Sequence, residues 1–143
     1  MKIILLPICF LVFINSSSQK AENTVNAFFK ALNTKDVETL NHLTLDDMQL
    51  HSLTLDEDAT LTSSTKIKFI NSIKSIPSNV NIEERISDIK TLKSDYLIQF
   101  QVPYEFYIDG ILSHKGTNVL TLVNTTNGWR ISYIADTREK SNR

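Results

Sequence analysis

Three histidines, a few carboxylates and two central tyrosines are the groups in this 143-residue sequence whose chemistry could amount to a function. The histidines are His42, His51 and His114. No two of them stand at a metal-ligand spacing such as H-x-x-x-H, so no metal centre is expected. The one cysteine, Cys9, lies in an apolar leader, which leaves no thiolate ligand and no cysteine nucleophile beyond it. With three glycines in the whole chain, neither a nucleophile elbow nor a phosphate-cradling loop is available. No cofactor is expected either. Acid–base and hydrogen-bonding chemistry remains. Asp46-Asp47 could supply a general base if burial raised a carboxyl pKa, but reads first as an exposed acidic turn. Asp136 and Arg138, two apart, read as a structural ion pair at a strand end. Tyr104 and Tyr133 read as core aromatics whose hydroxyls need partners if buried.

The element that must position these groups is a long alternating run from Tyr96 to Asp109. Tyr96, Ile98, Phe100, Val102, Tyr104, Phe106 and Ile108 share one parity, with mostly polar residues between them. A sustained period of two predicts a strand with one buried face. At about 3.3 Å per residue it would reach roughly 40 Å, so it must bend, and Pro103 marks an interruption of its ladder. Asp109-Gly110 is a hairpin turn signal leading into a strand from Ile111 to Val123, with Gly116 as a candidate bulge. After a turn over Asn124 to Gly128 a last strand runs from Trp129 to Asp136, and a polar tail from Glu139 is expected to fray.

Register decides which polar groups face inward. A two-residue Asp109-Gly110 turn would pair Ile108 with Ile111 and set Lys115 beside Tyr104 on the apolar face, where an ammonium has no partner. A three-residue loop, Ile108 to Gly110, pairs Tyr107 with Ile111 and Tyr104 with His114, and turns Lys115 outward near Glu105. The next hairpin then sets Leu122 beside Ile131 and Leu120 beside Tyr133. On this register the inner face carries only Tyr104, His114, Asn118 and Tyr133 as polar groups. His114 is the best placed for acid–base work at neutral pH, or is simply satisfied by Tyr104 within a packed core.

The first half of the chain is mainly helical. Ala21, Val25, Phe28, Phe29 and Leu32 form one helical stripe, with Asn33 suited to its C-terminal cap. Thr34 or Asp36 can cap a second short helix carrying Val37, Leu40 and Leu43. Asp47 to Leu53 turns toward strand alternation, and Asp56-Glu57-Asp58 reads as a solvated loop. A third helix is predicted from Thr65 on the spacing of Ile67, Ile70 and Ile73, stopped by Pro77. Ile82 to Leu92 fits a helix or a strand by spacing, but its isoleucine content and its run through the Lys93-Ser94-Asp95 turn into the next strand predict a strand.

Residues 1–18 give a positive start, an apolar run from Ile3 to Ile14 and small residues at Ser16 to Ser18, which is the composition of an export signal. A dozen apolar residues are too few to span ~30 Å of hydrocarbon as a helix. Cleavage near Ser18–Gln19 would release an exported, periplasmic or secreted, chain over residues 19–143, enough for one domain with one core. Its net charge moves from −1 to about −2, without the basic balance that nucleic acid as a partner would demand, and no membrane partner is expected after cleavage.

Helices followed by a bent antiparallel sheet describe an α+β cone, with the helices on its concave face. The chain resembles the nuclear transport factor 2-like superfamily, and within it exported bacterial proteins of the SnoaL-like or lumazine-binding-like kind. The resemblance is carried by Ala27 to Asp36, Pro103 to Gly110, Ser113 to Gly116, Gly128 to Ile131 and Asp136 to Arg138. It implies a single domain over 19–143, a strand rather than a helix at Ile82, and a pocket between sheet and helices. Tyr104, His114, Asn118 and Tyr133 are then its expected ligand-binding lining. The superfamily spans both enzymes and inert binding domains, so fold alone does not choose between them. The favoured expectation is a non-enzymatic domain holding a small apolar or amphipathic molecule, or a partner chain. The alternative is a ketosteroid-isomerase-like or dehydratase-like enzyme without a metal, using Asp47 or His114 as base and a tyrosine as donor. Asp46-Asp47 falls near where such relatives carry a general-base aspartate. Relatives with this fold often pair through the outer sheet face, which here would carry Leu97, Gln99, Gln101, Glu105 and Tyr107, so a homodimer is expected.

Overall fold

The computed structural model describes residues 17–140. The expected signal segment lies outside these residues except for Ser17 and Ser18, which open the first helix. Helix α1 (Ser17–Asn33) buries Ala21, Val25, Phe28, Phe29 and Leu32, the stripe that the spacing predicts, together with Ala31. It does not end on Asn33 as a cap. Lys35 takes the left-handed conformation (φ 55°), and the Asp36 N–H returns to the Ala31 carbonyl at 2.8 Å. The Asn33 amide is thereby free for another use. Helix α2 (Val37–Leu43) is capped by Asp36, whose carboxylate accepts from the Thr39 N–H at 3.0 Å.

Strand β1 (Thr44–Leu55) follows directly and is longer than alternation alone suggested. Its partner β2 (Thr60–Thr65) was not foreseen; its polar T-L-T-S-S-T sequence lies almost wholly on the surface and carries no apolar period. Thr65 caps helix α3 (Lys66–Lys74). The buried face of α3 is Lys66, Phe69, Ile70 and Ile73, at i, i+3, i+4 and i+7. Ile67, expected on that face, is 70% exposed. The Lys66 ammonium is buried because it donates to the Thr44 carbonyl (3.0 Å) and to Asp46 (2.9 Å), which pins α3 to the start of β1.

The Ile82 segment is strand, in two pieces: β3 (Ile82–Ile86) and β4 (Lys90–Lys93). Both pair with β5 (Leu97–Ile108). The break between them lies beside Pro103, whose carbonyl still accepts from the Ser87 N–H (3.0 Å) but which has no N–H of its own for a ladder. Strands β6 (Ile111–Thr125) and β7 (Gly128–Lys140) complete a curved, unclosed sheet of order β2-β1-β7-β6-β5-β3, with β4 beside β3 on β5. The β1/β7 pair is parallel and all others are antiparallel. β7 stays paired to its end, Glu139 lying opposite both Lys115 and Leu55, so the fraying expected from Glu139 does not occur up to Lys140. The core joins Val25 and Phe28 of α1 to Phe100, Leu120, Leu122 and Ile131 of the sheet. Among the described residues no helix is long and apolar enough to cross a membrane.

The register differs from the three-residue loop in an instructive way. Asp109-Gly110 is a two-residue turn with both residues at positive φ (49° and 77°), so Ile108 does pair with Ile111. This turn matches the twist of the flanking strands. Ser113 then bulges out of β6, so that Tyr107 faces Leu112 while Phe106 faces His114. The extra residue restores the even-with-even match and turns Lys115 outward opposite Glu105. Tyr104 consequently lies opposite Gly116 rather than His114, and Ile98 opposite Leu122. In the next hairpin Leu122 does face Ile131, but a second bulge at Ser132 follows, so Leu120 faces Ile134 and Tyr133 faces Thr121.

Candidate functional site

A cavity of about 330 Å³ lies between α1, α3 and the concave face of the sheet. Its volume falls within the range usual for small-molecule sites, roughly 300–1,000 Å³. One part of the lining is aromatic: Phe28 and Phe29 from α1, Phe69 from α3, and Phe106 from β5, which adjoins the polar part. The rings of Phe28 and Phe69 stack at 6.0 Å and 19°, and Phe29 meets Phe28 edge-on at 5.5 Å. The other part is polar, built from residues of β1, β3, β5, β6 and β7.

Glu84 is placed by the alternation Ile82-x-Glu84-x-Ile86 of β3, which turns a carboxylate onto the face of its two isoleucines. The Asn33 amide, left over from the helix end, brackets the same residue: it accepts from the Glu84 N–H (2.7 Å) and donates to the Glu84 carbonyl (3.1 Å). The Glu84 carboxyl accepts from the Asn118 amide at 2.6 Å. Burial pushes the Glu84 carboxyl up to about 7; the nearby Asp136 adds to this, while the Asn118 bond and the Arg138 charge pull the other way.

Asp136 enters from β7 and is 8% exposed. Arg138 donates through Nε to its Oδ2 at 2.7 Å, and the Tyr104 hydroxyl reaches the same oxygen at 3.4 Å while donating to the Thr137 carbonyl at 2.9 Å. Burial, with Asp136 and Glu84 near by, pushes the Tyr104 phenol well above its ordinary range. Asp136 Oδ1 has no hydrogen-bond partner among the described residues, nor has the Oγ of Ser52, a 3% exposed residue of β1 on the same wall. Such orphaned atoms are rare in native interiors, because each forfeits its hydration without replacement. The His114 ring stacks on Phe106 at 4.9 Å and meets Tyr104 edge-on at 5.8 Å, with Nδ1 3.1 Å from the Ser113 hydroxyl. Burial and then Arg138 lower its pKa, against a pull upward from Asp136, so the neutral ring is favoured.

Of the residues expected from sequence, Tyr104, His114 and Asn118 come together on this wall. Tyr133 does not. The Ser132 bulge rotates it to the outer face, where its ring lies 5.6 Å from that of His51. Asp47 is exposed on β1 and lines no part of the cavity, and Asp46 is exposed and engaged by Lys66. The inward residues of β1 are Met48, Leu50 and Ser52, the opposite parity from Asp47. Sequence reasoning missed Glu84, although a single carboxylate alternating with two isoleucines was a readable signal. It also confined Asp136 and Arg138 to an ion pair, whereas both line the cavity.

A family model described as a domain of unknown function, DUF4829, matches residues 22–135. No curated protein matches the chain. Among solved structures, a nuclear transport factor 2-like protein from Cytophaga hutchinsonii superposes with a TM-score of 0.65 at 17% identity, over 82% of this chain and 93% of that one. A proposed dehydratase of the same fold family from Streptomyces avermitilis gives 0.66 at 16% identity, over 86% and 98%. A nuclear transport factor 2-like protein of unknown function from Shewanella baltica gives 0.65 at 13%, over 87% and 94%. At such identities the likeness concerns the fold, and the fold is the nuclear transport factor 2-like cone.

Proposed function

Since the chain belongs to the DUF4829 family and has the fold common to many ligand-binding and enzyme domains, we propose that it is an exported domain that binds a small amphipathic molecule. The observation that carries this reading is the cavity itself, in which an aromatic end adjoins a buried polar end that retains two orphaned atoms, Asp136 Oδ1 and Ser52 Oγ. An apolar body would satisfy the first end and a polar head the second. The apolar run of residues 3–14 supports export. Native mass spectrometry of protein recovered from the exported fraction tests both parts. The expected species lacks about 18 residues and carries a small-molecule adduct lost on activation. A full-length, bare mass would remove the reading.

A second reading is favoured by one observation, the Glu84 carboxyl at about 7 inside a pocket. A buried carboxyl with that affinity can take and return a proton near neutrality, which is the requirement for an isomerase-like or dehydratase-like base. On this reading Glu84, not Asp47, is the base. Its test is deuterium incorporation next to the carbonyl of a bound arylketone at pH 7, present in the wild type and absent in Glu84→Gln. Exchange unaffected by that substitution would discard Glu84 as the base.

A further inference from the structure

Resting on the cavity reading above, we infer that the ligand's polar head is a cationic ammonium, seated between Glu84 and Asp136 with its aromatic or otherwise flat apolar body against Phe28, Phe69 and Phe106. Three of the wall's donors are already committed. The Asn118 amide is on Glu84, the Arg138 Nε is on Asp136, and the Tyr104 hydroxyl is on the Thr137 carbonyl. Among the buried side-chain atoms of the lining, those left unpaired are Asp136 Oδ1 and Ser52 Oγ, which is chiefly acceptor capacity. Asp136 Oδ1 can only accept while ionised, and the Ser52 hydroxyl can do either. A head that brings N–H donors completes this set. One that brings only acceptors, such as a carboxylate or a sulfonate, leaves Asp136 Oδ1 unpaired and adds repulsion.

Charge points the same way. Glu84 and Asp136 both line this wall and act on each other electrostatically, with the half-exposed Arg138, paired to Asp136, as the nearby counter-charge. With both carboxylates ionised the floor carries one negative charge in excess. The remaining cavity-lining groups that could offset it do not. His114 favours its neutral ring, Tyr104 is held as the phenol, and Lys68 of α3 lies exposed, where its ammonium is hydrated. Helix α1 brings only Phe28, Phe29 and Leu32 to the cavity. A bound ammonium would neutralise the floor, supply the missing donors, and meet the faces of the flanking aromatic rings, which attract cations.

Three probes with one body and different heads test this: 2-phenylethylammonium, 2-phenylethanol and 3-phenylpropionate, each titrated calorimetrically against the full chain at pH 8. The ammonium should bind at least about tenfold more tightly than either of the others. Glu84→Gln, which keeps the size of the side chain and its bond to Asn118, should bring the ammonium down to the affinity of the alcohol while moving the alcohol less than about threefold. Asp136→Asn should act in the same direction. If the alcohol or the carboxylate binds as tightly as the ammonium, the charge assignment is wrong and the cavity reading stands. If none of the three binds to folded protein at millimolar concentration, both are wrong.

Discussion

Gly116→Ala should be among the most destabilising single substitutions in this chain, costing about 3 kcal/mol or more and lowering the melting temperature by roughly 10 °C. A methyl group built on Gly116 would stand 1.8 Å from the carbonyl oxygen of Thr137 and 2.7 Å from its carbon, with Tyr104 Cε1 at 3.1 Å. The first two neighbours are backbone, which cannot swing aside as a side chain could. Here β7 crosses β6 so closely that the Thr117 N–H donates to the Thr137 hydroxyl at 3.1 Å. The Thr137 carbonyl is also the acceptor for Tyr104, so relief of the clash would drag the polar wall of the cavity with it. Gly110 and Gly128 are the controls. Both have open space around them and need glycine only for positive φ, so alanine there should cost nearer 1 kcal/mol. Thermal unfolding of the three variants checks the order. A melting temperature for Gly116→Ala within about 2 °C of wild type would contradict the steric account.

Gly116 also shows where sequence reading stops. A glycine inside a strand pattern signals either a bulge or a close approach, and the chain alone does not say which. The bulges of the two hairpins are at Ser113 and Ser132, two small polar residues with nothing unusual in their local pattern. Parity of burial was legible because burying one face selects for it at every second residue. Thus β5 reads correctly from Ile98 to Tyr104, and Lys115 was correctly turned out because an unpaired ammonium is excluded from that face. The count of residues between strands was not legible, since a two-residue turn plus a bulge gives the same parity as a three-residue loop. Tyr133 was misplaced for a related reason, the Ser132 bulge that follows the correctly read Leu122–Ile131 pair. Long-range pairing was equally hidden: the parallel β1/β7 contact joins chain segments some eighty residues apart by backbone bonds that no side-chain period encodes. In α3 the apolar period misled, because Ile67 is exposed while Lys66, which is buried through two hydrogen bonds, has no place in a hydrophobic stripe. The site fared best where a polar residue stood on an apolar face, as at Tyr104, His114 and Asn118. By the same rule Glu84 was within reach, since the Ile82 segment was read as strand and Glu84 alternates there with Ile82 and Ile86.

Glu84→Gln should make the protein more stable at pH 8, by about 2–3 kcal/mol, and leave it nearly unchanged at pH 4. The sign follows from where the proton sits. The folded carboxyl holds its proton up to about 7, whereas an unfolded glutamate releases it near its ordinary value of 4.5. Between those limits the folded state binds the extra proton, so stability falls as pH rises through the window. Below 4.5 the acid is neutral in both states and no penalty exists. Above 7 the full cost of a buried carboxylate facing Asp136 is present. Glutamine keeps the shape and can still accept from Asn118, but it never ionises. The surrounding charges of Asp136 and Arg138 then balance each other without a third member. Urea unfolding at pH 4, 6 and 8 measures the difference between variant and wild type, which should open steadily across the three. A gap independent of pH would mean that Glu84 does not titrate in this window. A variant less stable than wild type at pH 8 would mean that the carboxylate is stabilising and its burial already compensated, and the excess negative charge inferred for the cavity floor would go with it.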